Sequence, residues 1–289
     1  MNHTEAKRSR RVVILLLLLT GLAVLFYPLV SMKWNDYRSR KLETTYADSV
    51  GSMKDPQLEE MRRAAAAYNK TLYVPSVPDA FSIRDGVHDP EYESLLDPGG
   101  DGIMAYIEIP AIQVDLPVYH YTTDDSLGKG AGHLFGSSLP VGGRGTHCVI
   151  SAHRGLPNAR MFTDLNLVKE GDRFYIKVLN RTLTYQVDQI LTVKPDQTQS
   201  LAIDRQKDLV TLVTCTPYAV NSHRLLVRGH RISDKESGAS SAAAAGIRID
   251  KHRLIGQILS AAAGFLGAFA ILSLTVFRRQ KGEENEDGK

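Results

Sequence analysis

The sequence predicts a mostly β domain that is preceded by helices and has an apolar segment near each end of the chain. From position 105 onward, short apolar or alternating segments recur between turn residues, a pattern typical of a closed or nearly closed β-barrel. These segments are 105–109, 116–119, 146–152, 173–179, 182–193, 209–215 and 224–231. Two uncharged runs, 12–30 and 254–277, each have about the length of a helix that crosses a bilayer.

The residues before the barrel are predicted to be helical over 36–69, in two pieces. Asp55 and the proline that follows it form a suitable N-cap and first-turn pair for the second piece. Its apolar side chains repeat with helical spacing, so they share one face of the helix. They are Leu58, Met61, Ala65 and Tyr68.

The charge balance and the absence of certain motifs argue against several classes of function. The chain has 35 basic and 32 acidic residues, so it lacks the electrostatic footprint of a nucleic-acid-binding protein. The glycine-rich run 128–132 lacks the spacing and the Lys-Ser/Thr ending of a phosphate-binding loop. No HExxH, paired CxxC or EF-hand pattern occurs, and we therefore expect no metal and no cofactor.

One cysteine is predicted to lie beside an arginine on a neighbouring strand. The run 211–215, with the sequence TLVTC, ends in Cys215, residues 217–221 predict a turn, and Arg224 begins the next apolar run. A thiol beside a fixed positive charge is biased toward the nucleophilic thiolate, so the pair could form an acyl-transfer site. The alternative interpretation of Cys215 is a small, buried and inert side chain.

His153 is the predicted proton-transfer partner of Cys215. A nucleophilic cysteine requires a group that moves protons, and histidine titrates near neutrality. His153 follows the apolar run 146–152, where a strand opens into a loop, and catalytic groups are often placed there on a rigid scaffold. Several other histidines are interpreted as solvated or hydrogen-bonded groups. They are His133, His147, His223 and His230.

The cysteine motif resembles the signature of the sortase family, which here comprises Thr211, Leu212, Thr214 and Cys215, with Arg224 downstream. Residues 211–231 are similar to the class C, pilin-polymerising branch. Further matching blocks occur in the same order, so the resemblance spans about half of the chain. These blocks are 107–110, 132–134, 138–143 and 152–157.

The resemblance implies an eight-stranded β-barrel in which Cys215, His153 and Arg224 are the catalytic residues. It also implies that an LPXTG-like sorting signal is cut between Thr and Gly, and that a pilin lysine is the acceptor amine. Arg224 would either stabilise the thiolate or donate hydrogen bonds to an oxyanion, and the sequence leaves both roles open.

Two alternatives from other classes of function stay open. A housekeeping sortase would attach surface proteins to a cell-wall amine, but the apolar run 254–277 and the DAF run at 79–81 argue against it. A non-catalytic, membrane-tethered domain would bind sorting peptides without cutting them. The joint presence of Cys215, His153 and Arg224 argues against that second alternative.

Residues 72–101 are predicted to form a lid loop, again by resemblance to class C sortases. Those enzymes carry an Asp-Pro-aromatic motif, whose aspartate pairs with the catalytic arginine and whose ring covers the cysteine. The best match is Asp79-Ala80-Phe81, so Asp79 is assigned to Arg224 and Phe81 to Cys215. Because alanine replaces the proline, we expect a less rigid lid.

Two alternatives remain for the lid. The run 89–92, with the sequence DPEY, keeps the proline of the motif but has its aromatic residue one position too late. An ordinary surface loop would also explain the whole of 72–101.

The chain has two cysteines, Cys148 and Cys215. An extracytoplasmic location would permit a disulfide between them, and that bond would abolish the predicted chemistry. Cys148 lies within the predicted strand 146–152, where a buried inert thiol is the simpler interpretation.

Basic residues flank both apolar runs on their outer sides, at 7–11 and 278–281, which favours cytoplasmic ends. Basic residues also occur on the inner sides, so the charge rule alone does not decide. A surface-protein substrate would lie outside the membrane, and we therefore expect the domain to face outward. The resemblance to sortases implies a bacterium of Gram-positive type. A cleaved signal peptide at 12–30 and a buried core helix at 254–277 are the alternatives.

The predicted layout follows from these assignments. It comprises a basic tail (1–11), a membrane helix (12–30), a helical region (31–71), a lid loop (72–101), a catalytic barrel (102–233), a linker (234–253), a second membrane helix (254–277) and a cytoplasmic tail (278–289).

Overall fold

The computed structural model describes residues 3–72, 77–82, 88–155 and 160–233. Eight strands are present in this part of the chain. They are β1 (Ile103–Ile109), β2 (Val114–His120), β3 (Ala131–His133), β4 (Thr146–Ser151), β5 (Arg173–Val178), β6 (Arg181–Val193), β7 (Asp208–Thr216) and β8 (His223–Arg231). They close into a barrel in the order β1-β2-β3-β4-β7-β8-β6-β5. The eight-stranded barrel implied by the resemblance is therefore observed.

The α-helices in the described residues precede the barrel or connect its strands. They are α1 (His3–Ser52), α2 (Asp55–Thr71), α3 (Pro90–Glu93) and α4 (Asp124–Lys129). Short 3-10 turns occur at Pro110–Ile112, Leu165–Leu167 and Gln199–Leu201. Residues 32–233 belong to one compact unit, whereas residues 3–31 belong to another.

Each of the seven predicted strand segments is observed, with ends that differ by at most two residues. β3 was not predicted, because it is only three residues long and contains a glycine. It forms through pairing with β2 and β4 rather than through local propensity. Gly132 is required there, since an added Cβ would lie 2.3 Å from the Tyr121 carbonyl oxygen.

The predicted break in the helical region is confirmed, but its cap differs from the prediction. The N-cap of α2 is Lys54, and Asp55 is already the first helical residue. The Gln57 side chain accepts a hydrogen bond from the Lys54 backbone N–H at 3.0 Å, so the helix start is stabilised from within the first turn. The predicted apolar face packs against the barrel core, with Leu58 and Ala65 buried.

The two predicted membrane spans are not confirmed. Within the part of the chain that the structure describes, no helix combines the length and the apolar character that a bilayer crossing needs. The second predicted span, 254–277, lies outside the described residues, as does the predicted linker at 234–253.

Strand alternation divides the side chains of β4, β7 and β8 between two apolar clusters. Ile150, Leu212 and Val227 belong to the large core, which also includes residues of α1 and α2. The residues next to them in sequence belong to a smaller cluster, with Val77 and Ala80 from the predicted lid; they are Val149, Val213 and Leu226. This smaller cluster marks the barrel face on which the candidate site lies.

Candidate active site

Cys215 and Arg224 lie directly opposite each other on neighbouring strands. The antiparallel register of β7 and β8 pairs Cys215 with Arg224 and Val213 with Leu226. Because side chains alternate along a strand, Cys215 shares a face with Val213, and Arg224 shares it with Leu226. The thiol and the guanidinium therefore stand at the end of the smaller apolar cluster, and Cys215 is only 9% exposed.

His153 reaches the same place through the parallel pairing of β4 and β7. This register pairs Ser151 with Val213. The pairing continues one residue further, where the Thr214 hydroxyl donates to the Ala152 carbonyl oxygen at 2.8 Å. With the same offset, His153 is level with Cys215 at the ends of the two strands. The structure thus brings the end of β4, which carries His153, to the same rim as Cys215 and Arg224, which lie more than 60 positions further along the chain.

Asp79 forms a two-pronged ion pair with Arg224. The Arg224 Nε donates to Asp79 Oδ1 at 2.7 Å, and Nη2 donates to Oδ2 at 2.8 Å. Both side chains are nearly buried, with 12% and 13% exposure. The remaining Nη1 donates to the carbonyl oxygens of Asn221 and His223 at 3.1 and 3.2 Å. The guanidinium is consequently held in one orientation.

Phe81 contacts both Arg224 and His153. The Arg224 Cζ is 5.1 Å from the centre of the Phe81 ring, and the rings of Phe81 and His153 are 6.0 Å apart. These contacts place the lid segment, which we define as residues 77–82, over the smaller apolar cluster. That the ring covers Cys215 itself stays a prediction.

The alternative lid motif has a structural role. Asp89 caps α3 by accepting a hydrogen bond from the Tyr92 N–H at 3.1 Å. Tyr92 is fully buried, and its hydroxyl is 2.7 Å from Nδ1 of His133. This run therefore anchors the chain beside the barrel, and the segment that contacts Arg224 is the one with alanine in place of proline.

The supporting residues of the cysteine motif fix β7 in place. The Thr211 hydroxyl is 2.7 Å from Nε2 of His147, whose Nδ1 is 2.8 Å from the Ala202 carbonyl oxygen. Leu212 is completely buried in the large core. Thr214 bonds to β4 as described above. Each residue of the motif thus limits the movement of the strand that carries Cys215.

The electrostatic environment favours the neutral forms of the thiol and the imidazole. Burial raises the pKa of Cys215, against which Arg224 acts to lower it, while Asp79 raises it further. Burial lowers the pKa of His153, and the charge of Asp124 raises it in part. With the lid segment in place, proton transfer from Cys215 to His153 is therefore disfavoured from both sides.

Asp124 is a residue whose influence the sequence did not reveal. The structure places it in the first turn of α4. Its negative charge favours the imidazolium form of His153. No local pattern signals this, because the two residues are brought into range only by the fold of the barrel.

The second cysteine lies apart from the candidate site. Both cysteines are free, so the disulfide considered from sequence is not formed. Cys148 is 3% exposed within the large core, and burial raises its pKa strongly. Among the described residues, no group of His, Cys, Asp or Glu side chains could hold a metal ion.

Comparisons with known proteins point to one family. The family description "Sortase domain" matches residues 107–232. Sortase A of Bacillus anthracis is 29% identical over 133 residues, which are 46% of this chain and 61% of that protein. Sortase A of Listeria monocytogenes is 23% identical over 222 residues, or 76% of this chain and 90% of that protein. The chain thus spans about three fifths of the Bacillus relative.

Solved structures match over more of their length. Sortase C of Streptococcus pneumoniae is 46% identical with a TM-score of 0.64, covering 67% of this chain and 97% of that one. Sortase C-1 of Actinomyces oris is also 46% identical, with a TM-score of 0.59, and covers 62% of this chain and 99% of that one. The structure of the Streptococcus pneumoniae enzyme provides insights into its catalysis and its pilin substrate specificity.

Removing the Asp79 carboxylate should make Cys215 more reactive. Asp79 raises the pKa of the thiol and occupies the fork of Arg224, so Asp79→Ala and Asp79→Asn should lower the pH midpoint of Cys215 alkylation. A midpoint lower by one unit would raise the thiolate fraction at pH 7 about tenfold. Alkylation rates followed by mass spectrometry over a pH series would measure this.

Asp196→Ala is the matched control, because Asp196 is exposed on the connection between β6 and β7. It should leave both the rate and the midpoint unchanged. If Asp79→Ala is alkylated at the wild-type rate with the same midpoint, the assignment of Asp79 to the lid is wrong.

Proposed function

We propose that this chain, which belongs to the sortase family of cysteine transpeptidases, cleaves an LPXTG-like signal between Thr and Gly and transfers the acyl group to a pilin lysine. The observation that carries the proposal is the convergence of Cys215, Arg224 and the end of β4 at one rim of the barrel. A nucleophile, a cation and a proton carrier are the groups that acyl transfer through a thioester requires.

The reaction has two halves that use the same three residues. The Cys215 thiolate attacks the Thr carbonyl carbon, and the C–N bond to Gly breaks while His153 gives its proton to the departing amine. A thioester then links Thr to Cys215. The lysine amine attacks that carbonyl carbon, His153 accepts the proton that the amine loses, and Cys215 leaves as the thiolate. An isopeptide bond remains between the two subunits.

Formation of the ion pair between the Cys215 thiolate and the His153 imidazolium costs free energy in this enzyme. With ordinary pKa values of about 8.5 for a thiol and 6.5 for an imidazole, proton transfer costs ~2.7 kcal/mol. The shifts of Cys215 and His153 both add to this cost while the lid segment is in place. Displacement of Asp79 would leave the Arg224 charge to the thiolate or to the oxyanion of the tetrahedral intermediate. Lid opening is therefore a step of the proposed cycle.

Pilin polymerisation is favoured over cell-wall anchoring by one structural feature. The Asp79–Arg224 pair and the Phe81 ring lie over the site, and the class C resemblance assigns such a lid to the pilin-polymerising branch. The compared structures at 46% identity are sortases C. Attachment of surface proteins to a cell-wall amine remains the second candidate, because its chemistry requires the same three side chains.

Membrane anchoring is also part of the proposal, and it rests on the sequence. The uncharged runs 12–30 and 254–277, with basic residues outside both, support two crossings with cytoplasmic ends. The catalytic domain would then face the surface proteins that carry the sorting signal.

Arg224→Lys should be nearly as damaging as Arg224→Ala. Lysine keeps the charge but loses the planar fork whose Nε, Nη1 and Nη2 each donate a hydrogen bond here. We expect kcat/KM for a sorting-signal peptide to fall on the order of 10²- to 10³-fold in both variants. Steady-state peptide cleavage would measure it.

Arg228→Lys provides the matched control, because Arg228 lies on β8 like Arg224 and makes a similar two-pronged bond to Asp188 of β6. It should stay within about threefold of the wild type, in line with a substitution away from the reacting atoms. Near-normal activity of Arg224→Lys would refute the requirement for the fork.

Incubation with a purified pilin precursor should distinguish the two acceptors. A polymerase should give a ladder of covalent multimers, and a thioester adduct on Cys215 should be detectable by intact mass. Cys215→Ala should give neither product. A cleaved but unpolymerised pilin, with transfer to a cell-wall amine instead, would favour the anchoring enzyme; the absence of any adduct would refute the proposed chemistry.

Membrane placement can be tested in intact cells. We expect external protease to cut the catalytic domain, and the chain to stay with the membrane fraction after alkaline washing. A chain that is protected from protease in intact cells but cut after lysis would contradict the outward placement.

A further inference from the structure

Arg154 directly follows the candidate proton carrier His153, and its guanidinium connects two parts of the site. Nη1 donates to the Thr216 hydroxyl at 2.8 Å, and Thr216 directly follows Cys215. On its other side, Nε donates to the Thr163 carbonyl oxygen at 3.2 Å, and Nη2 donates to Asn166 Oδ1 at 2.8 Å. One side chain thus bonds the end of β7 and the segment 162–166.

The same segment holds the backbone on both sides of Arg154. The Phe162 N–H donates to the His153 carbonyl oxygen at 3.0 Å. The Gly155 N–H donates to the Thr163 hydroxyl at 3.1 Å. Thr163 is 3% exposed, so this anchor lies within the protein. Residues 153–155 are therefore fastened to 162–163, and Arg154 extends that attachment to the strand of the nucleophile.

These bonds bracket the pair formed by His153 and Cys215. One residue before the pair, the Thr214 hydroxyl bonds to the Ala152 carbonyl oxygen. One residue after it, Arg154 bonds to the Thr216 hydroxyl. The parallel ladder of β4 and β7 ends at Ser151 and Val213. The last backbone bond between the two strands runs from the Ala152 N–H to the Val213 carbonyl oxygen at 3.2 Å. Beyond that bond, the side chains of Thr214, Arg154 and Thr216 link the two strand ends that carry the reacting groups.

We propose that Arg154 is a positioning residue, which acts through Thr216 and the segment 162–166 to hold His153 at a fixed distance from Cys215. This inference rests on the proposed function of that site. Arginine is suited to the task, because its Nε, Nη1 and Nη2 bond to three acceptors in different directions from one rigid plane. A lysine ammonium at the end of a flexible chain does not reproduce this arrangement.

The first test compares Arg154→Met and Arg154→Lys with the wild-type full chain in peptide cleavage. Misplacement of reacting groups by about 1 Å costs on the order of 10²-fold in rate. We therefore expect kcat to fall by that order in both variants, with KM within about threefold, because the proposed role concerns the position of the reacting groups rather than substrate binding. Arg160→Met is the control: Arg160 is a partly exposed arginine, bonded to Gln113, and should stay within about twofold.

A mutant cycle with Thr216 separates positioning from general stability. Thr216→Val removes the hydroxyl that accepts the Arg154 bond, whereas Thr216→Ser keeps it. Thr216→Val should lower kcat, Thr216→Ser should retain it, and the double variant with Arg154→Met should lose little more than the worse single variant. Additive losses, or losses that follow the melting temperature alone, would overturn the proposal.

The alkylation of Cys215 provides a readout that needs no substrate. An imidazole held beside the sulfur accepts its proton, and the imidazolium then stabilises the thiolate. In the Asp79→Ala background, where the lid carboxylate no longer disfavours the thiolate, Arg154→Met should therefore raise the pH midpoint of Cys215 alkylation, and Arg160→Met should not. If the wild type fails to cleave a sorting peptide, the proposed function fails, while the alkylation comparison still decides the role of Arg154. An unchanged midpoint would overturn that role.

Discussion

The parallel pairing of β4 and β7 is the constraint on which the candidate site depends. Parallel strands end at the same rim of a barrel, so His153 after β4 and Cys215 near the end of β7 come to one level. β8 runs in the opposite direction, and its first residues return to that rim with Arg224. A shift of register by one residue would turn Cys215 from the smaller apolar cluster into the barrel core.

Local patterns predicted most of the barrel and part of the site. Alternating hydrophobicity placed seven strands, and the short connection between β7 and β8 made the adjacency of Cys215 and Arg224 predictable. β3 could not be predicted from the sequence, because its pairing with β2 and β4, rather than its composition, makes it a strand. The effect of Asp124 on His153 could not be predicted from the sequence either, since it depends on the fold bringing α4 within electrostatic range of His153.

The assignment of Asp79 needed a different kind of information. The DAF run carries no periodicity that directs it to Arg224, which lies 145 positions away, and only the resemblance singled it out. The structure supplies the physical reason for the contact. The Nε and Nη2 groups of the planar Arg224 guanidinium point in the same direction, so each donates to one oxygen of the Asp79 carboxylate. The apolar residues around Asp79, Val77 and Ala80, are buried in the same cluster as Val213 and Leu226.

Two effects of opposite sign act on the lid, and their magnitudes differ. Replacing the proline of the motif by Ala80 leaves more backbone freedom in the open state, which disfavours closure by ~0.4–1 kcal/mol. The Asp79–Arg224 pair contributes two charge-assisted hydrogen bonds in a nearly buried position, each worth ~1.5–3 kcal/mol. The ion pair outweighs the backbone term, so the alanine does not prevent closure. In the proposed cycle, opening then requires a competitor for the guanidinium, and the developing charge on Cys215 or on the substrate carbonyl would be that competitor.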